Sequence, residues 1–401
     1  MLRPTLFAFT VWLLATVASH AAQPARPDAD GFVPMFNGRD LSGWVNVNCA
    51  PETWSMVNGV VVCTGKPIGA LRTERQYENF ILEVEWRHLE SGGNSGVFVW
   101  GSPINAPGVP FLRGIEVQAL DHGYAVAYER RTGKKSESFT THGDVFPIHG
   151  ATMIPLGRTN GRRSFPSEDR SKPSPEWNHY RIIANNGSIR LHVNGKEVSG
   201  GDDCNYRKGY LALESEGAPV EFRNMRIKEL PSTGAAASVT APLDPGWRSL
   251  FNGLDLRGWQ ANASTAYTWN VVGEKIQQTS PTASANPSAT PVPLWHATEF
   301  GDAEFIVDFQ PGKAPDGAAP PDGAILVRGR SGQGHLVALQ PSGARFTRFT
   351  ITVQGRMVRV QRDGAPDQVS SLPAGVGARG QFGLQPTTGG GVVMNLHARE
   401  L

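Results

Sequence analysis

Apolar and polar residues alternate with a period of two along much of the chain. In FILEVEW (80–86), Ile81, Glu83 and Glu85 alternate with Leu82, Val84 and Trp86. In SIRLHVNG (188–195), Ile189, Leu191 and Val193 alternate with Arg190, His192 and Asn194. The VNG at the end of that run is a tight-turn signal. Successive side chains of a strand point to opposite faces, so this pattern predicts strands with one apolar and one polar face. Such strands bury their apolar faces by stacking two antiparallel sheets. No amphipathic helix longer than about two turns is expected.

The pattern occurs twice. FNGRDLSGW (36–44) returns as FNGLDLRGW (251–259), with seven of nine positions identical. TWSMVNGVV (53–61) parallels TWNVVGEKI (268–276), SGVFVWG (95–101) parallels GAILVRG (323–329), and GYLALES (209–215) parallels GQFGLQP (380–386). FRNMRIKEL (222–230) parallels VMNLHAREL (393–401) in the same order. Each copy is therefore a whole domain, over 31–230 and 246–401. The segment 231–245, small and Pro-containing, reads as a flexible linker with the boundary near Ser238.

Composition narrows the class. The chain of 401 residues has 46 Gly and 30 Pro, about a fifth of the total, and 18% charged residues. Gly and Pro break helices, which favours turns and strands. A net charge of +2 gives no concentrated basic surface, so a nucleic-acid partner is not expected. Residues 1–22 read as a signal peptide, with Arg3, the apolar run 6–17, and cleavage after Ala21 or Ala22. The protein is therefore expected in the periplasm or outside the cell, soluble and without a membrane partner. Cys49, Cys63 and Cys204 leave one thiol unpaired at least, and Cys49–Cys63 could bridge a strand pair.

The opening FNGRDLSGW and the motifs that follow it name a family. LRTERQYENFILEVEWR, GNSGVFVW, RGIEVQALD, EWNHYRI, LHVNGKEV, GYLALESEG and FRNMRIKEL occur in order over about 31–230. This region resembles the 3-keto-disaccharide hydrolase family. The resemblance implies an all-β chain of two concanavalin A-like jelly-roll sandwiches in tandem, the second degenerate. It also implies a carbohydrate substrate, a glycoside already oxidised to a ketone at C3. Elimination from such a sugar needs a base at C2, a donor for the C3 oxyanion and an acid for the leaving oxygen.

The strand phase supplies candidates. In GIEVQALD, Ile115, Val117 and Ala119 would face the core, leaving Glu116 and Gln118 on a groove with Asp121 at the strand end. By the same phase Asn94, Phe98 and Trp100 share the groove, Trp100 as a sugar-stacking platform. Glu83, Glu85 and Arg87 would also face it, as would Glu214 and Glu216. Gly96 would permit a close approach. The 121–175 insertion reads as a long loop that brings His122, His142, His149 and Asp144. Glu116, His142 or His149 is the expected base, and Arg87, Gln118 or a metal the oxyanion partner. His142, Asp144 or His149 with Glu116 has the donor chemistry of a divalent-metal site. Their other reading is a loop held by its own hydrogen bonds; Arg87's is an ion-pair partner for Glu85 or Glu116.

The second copy places Leu336 at Glu116, Ala338 at Gln118 and Arg328 at Trp100. It keeps the frame and loses the polar row, which points to the first copy for chemistry. Two further classes stay open: a non-catalytic carbohydrate-binding protein, and a glycosidase pairing Glu85 with Glu116 or Glu214. No GxSxG elbow supports a serine nucleophile.

Overall fold

Alternating strands stack because each sheet has only one face to bury. The computed structural model describes residues 26–262, 268–278, 292–313 and 318–401, so the expected signal peptide lies outside the described residues. Within the described residues, no helix is long and apolar enough to cross a membrane.

The first sandwich has two antiparallel sheets. Its back sheet runs Thr152–Pro155, Lys196–Asn205, Ser188–Val193, Asn178–Asn185, Phe80–His88, Val220–Glu229, Val60–Cys63 and Trp54–Val57, with Val33–Pro34 also on Val220–Glu229. Its front sheet runs Arg158–Asn160, Arg163–Phe165, Val145–Ile148, Gly114–Leu120, Asn94–Gly101, Tyr210–Ser215, Gly69–Thr73 and Trp44–Val47. Between them Leu82, Val84, Trp86 and Tyr180 of the back sheet meet Val97, Ile115, Val117 and Leu213 of the front. Each such side chain contributes roughly 1.5–3 kcal/mol by leaving water. Strands distant in sequence lie side by side, as in a jelly roll. The second sandwich repeats the plan with an eight-stranded and a four-stranded sheet around its own core. The chain is thus two concanavalin A-like jelly-roll sandwiches in tandem.

The insertion is more ordered than a loop. It forms the helix Gly123–Thr132 and four strands that extend both sheets. The helix buries no residue and carries no apolar stripe, which is why periodicity missed it. The linker also departs from a free spacer. Asp244 pairs with the buried Arg72, Gln76 donates to Ala241 O at 2.7 Å, and Lys208 pairs with Thr240 across a bridge. All three cysteines are buried free thiols.

A second contact locks the two halves. Asn395 Nδ2 donates to Ala106 O (3.1 Å) and Val109 O (2.9 Å), and the Gly108 N–H donates to Asp308 Oδ2 (2.8 Å). Arg348 reaches Asn105 O at 2.8 Å. A buried carboxylate and amide of the second sandwich therefore hold one loop of the first.

Both front sheets carry the same bulge. Trp100 has φ +55°, and three steps along its strand from Phe98 to Gly101 oppose two from Ala212 to Tyr210. Arg328 has φ +54° at the matching shift between Leu326 and Gly329. One extra residue flips the side chain to the other face. Trp100 is accordingly buried in the core, with Nε1 donating to Glu78 O at 2.8 Å, and is not on the groove. Arg328 is buried the same way, reaching Phe300 O and Asp302.

Candidate active site

Three adjacent front-sheet strands place the acidic residues. Phe98 lies opposite Glu116 and Gly96 opposite Gln118 on one side, while Val97 lies opposite Leu213 on the other. Glu116, Gln118 and Glu214 therefore point outward on one patch, with Gly96 in the middle. A Cβ on Gly96 would stand 2.9 Å from Glu116 Cγ, 3.0 Å from its Oε1 and 3.1 Å from Glu214 Oε2. The missing side chain is the space into which both carboxylates lean.

The patch floors a cavity of about 340 Å³ lined by Asn94, Glu116, Gln118, Glu214 and Glu216. Its walls come largely from the insertion. Tyr124 and Tyr128 of the helix meet Phe139 edge-on, with ring centroids 5.6 and 5.1 Å apart. Phe111 stacks on His149 at 5.5 Å. Phe146 lies under the Arg163 guanidinium at 3.4 Å. That guanidinium donates to Gln118 Oε1 at 2.6 Å and to Asp144 Oδ2 at 3.0 Å, and Gln118 Nε2 donates to Asn94 Oδ1 at 3.3 Å.

Burial and like charge favour protons here. Burial, then the neighbouring Glu216, holds the Glu116 carboxyl well above the usual range, against the pull of Arg163. Burial, Glu216 and Glu116 do the same to Glu214. Glu216 is pushed up by burial to about 7, with Glu214 and Arg163 opposing. Asp144 is raised by burial despite its bonds from Thr140 and Arg163. Burial lowers His149.

Glu116, Gln118, Asn94, Glu214 and His149 thus share one cavity, as their strand phase and insertion suggested. Others lie elsewhere. Arg87 and Glu85 do face outward, but from the back sheet, on the opposite side of the molecule. Arg87 donates to Glu221 at 2.8 Å and lies 4.6 Å over Trp177, while Glu85 accepts from Arg223 and Asn224. Alternation gives the face of a strand, not the sheet it joins. The pairing of Glu85 with Glu116 falls for the same reason. Asp121 is buried beside the cavity and accepts from the N–H groups of Gly92, Gly123 and Ser174; these outweigh burial and keep its carboxyl low. His142 turns away to His122 and Asp169, so it forms no metal-ligand group with Glu116. Asp144 is occupied by Thr140 and Arg163. Sequence reasoning missed Arg163, Tyr124, Tyr128 and Phe146. Only the charge and aromatic content of the insertion hinted at them.

An open-mouthed cavity with aromatic walls and a polar floor, on the outer face of a jelly-roll sheet, has the make-up of a small-molecule site. Residues 31–228, the span of the first sandwich, match the 3-keto-alpha-glucoside-1,2-lyase-like domain. Among curated relatives, the 3-keto-disaccharide hydrolase of Bacteroides thetaiotaomicron is 22% identical over 256 residues, covering 51% of this chain and 80% of that protein. A candidate glycosyl hydrolase of Parabacteroides distasonis is 23% identical with a TM-score of 0.38, over 51% of this chain and 95% of that one. The carbohydrate-binding module CBM66 of Bacillus subtilis is 12% identical with a TM-score of 0.30, over 47% and 96%.

Proposed function

We propose that the first sandwich cleaves the glycosidic bond of 3-keto glycosides by elimination followed by hydration. The observation that carries this reading is three acidic side chains with raised proton affinity beside one fixed guanidinium, inside the family-matched region. Glu216, titrating near 7, is the group suited to take the C2 proton. The electron pair of that C–H bond forms the enolate at C3, and Arg163 with Gln118 faces its oxygen. The C1–O bond then breaks as the C1=C2 bond forms and the C3 ketone returns. Glu116 or Glu214, whose burial favours the protonated form, gives the leaving oxygen its proton. Water adds its hydroxyl to C1 and a proton to C2, so the net change is hydrolysis.

Glu116→Gln and Glu216→Gln should each lower turnover of a 3-keto glucoside about 10²–10⁴-fold. A C2-deuterated substrate should react more slowly. Full activity of both variants, or equal cleavage of unoxidised glucosides, would overturn the reading. The second outcome would favour a paired-carboxylate glycosidase using Glu116 and Glu214. The same reading places the enzyme outside the cytoplasm, on the strength of the 6–17 apolar run; N-terminal sequencing of the purified protein should then start just after Ala21 or Ala22.

A further inference from the structure

The insertion gathers a second polar cluster outside the cavity lining. His122 ends the strand–helix junction, His142 lies on the loop before Val145–Ile148, and Asp169 lies on the segment that returns to Asn178–Asn185. One ligating atom of each lies within 4.8 Å of the others. His142 Nδ1 stands 2.9 Å from Asp169 Oδ1, and His122 Nε2 stands 4.0 Å from the same oxygen. The Ser171 hydroxyl lies among them, 2.7 Å from His122 Nε2, 3.3 Å from His142 Nδ1 and 3.3 Å from Asp169 Oδ1. It also donates to Thr141 O at 3.0 Å. The two imidazoles meet edge to face, with centroids 5.4 Å apart.

Two imidazoles converge here from separate elements. Three separate stretches of chain bring their nitrogens to one carboxylate oxygen. Two nitrogens and one oxygen suit a borderline divalent ion such as Zn²⁺; Ca²⁺ and Mg²⁺ ask for oxygen shells.

We propose that His122, His142 and Asp169 form a site for a Zn²⁺-class divalent ion, with Ser171 or water completing the shell. The ion would tie the start of the helix Gly123–Thr132 to the loop and to the return segment. That helix carries Tyr124 and Tyr128 over the cavity, so the site is a clamp for the aromatic wall and touches no reacting atom. The assignment does not depend on the reaction proposed above, because binding is read without substrate.

The test uses the full chain, stripped with chelator. Titration with Zn²⁺ alone should show one equivalent bound, and Co²⁺ should give the visible absorption of a nitrogen- and oxygen-ligated ion. His142→Ala and Asp169→Asn should each weaken Zn²⁺ at least ~100-fold, whereas Ser171→Ala should weaken it by less. Zn²⁺ should raise the melting temperature of the wild type and not of Asp169→Asn. Absence of Zn²⁺ and Co²⁺ binding by the wild type overturns the proposal, as does equal affinity in both folded variants. Ca²⁺ binding as tight as Zn²⁺ binding would also overturn it. Should a variant fail to fold, the wild-type Co²⁺ spectrum decides: absorption of a fully hydrated ion rejects the site.

Discussion

The two sandwiches share a frame and differ on one face. In the first, Glu116, Gln118 and Glu214 occupy the outer face of the front sheet. At the matching positions of the second stand Leu336, Ala338 and Gln385, by the shared bulge and register. Leu336 is exposed, and Trp295 lies flat over Gly329 and Gly383, where added Cβ atoms would stand 2.1 and 2.6 Å from its ring. The second outer face has lost the carboxylates and packs an indole beside their positions. The back sheets differ in the reverse sense. Asn224 and Glu85 form an exposed pair at 3.0 Å, while their counterparts Asn395 and Asp308, 2.7 Å apart, are buried against the first sandwich. A duplicated fold keeps what its packing needs, here the bulge and the Asn–carboxylate pair, and frees the remaining faces to diverge.

Trp100→Ala should give the largest effect on this comparison, about 3–5 kcal/mol of lost stability from the cavity left in the first core. Urea unfolding measures it; a change confined to substrate affinity would instead put Trp100 on the groove. Gly96→Ala and Gly383→Ala probe the outer face of each front sheet in turn. The first drives a methyl between Glu116 and Glu214 and should cut turnover about 10²-fold, while the second meets only Trp295 and should cost about 1–3 kcal/mol of stability with turnover intact. Equal turnover in the two variants would erase the distinction between the faces.

The smallest effect is in pH. The folded first sandwich holds protons on Glu214 and Glu216 more tightly than the unfolded chain does. The contribution of Glu216 is full below about 4.5 and is lost as pH rises through about 7, and that of Glu214 is likewise lost on the alkaline side. In the second sandwich His397 is depressed to about 3 by burial, then by Arg348 and Arg72. Its contribution is present above about 6.5 and is lost as pH falls toward 3. Hydrogen exchange should therefore find Glu214→Gln flattening the alkaline slope of the first half, and His397→Gln the acid slope of the second. The same slopes in wild type and variants would refute it.

Much of this was legible in the sequence. The period of two and the repeat define both sandwiches, and the phase of GIEVQALD put Glu116 and Gln118 outside and Ile115 and Val117 inside. Three features were not legible, each for a physical reason. A single-residue bulge reversed Trp100. Arg87 and Glu85 had the right face on the wrong sheet, because sheet membership is set by long-range pairing. Arg163 lies in a short strand whose partner, Arg158–Asn160, is three residues long and wholly exposed, too brief to show a period.

The loop around Gly108 belongs to the first half and is held by the second. Asn395, Asp308 and Arg348 grip its backbone from Asn105 to Val109, and two residues further on Phe111 stacks on His149 in the cavity wall. The second sandwich thus braces the loop that leads into the cavity wall of the first. Shortening the gene at the linker would leave the carboxylates in place yet unmoor the ring that faces them.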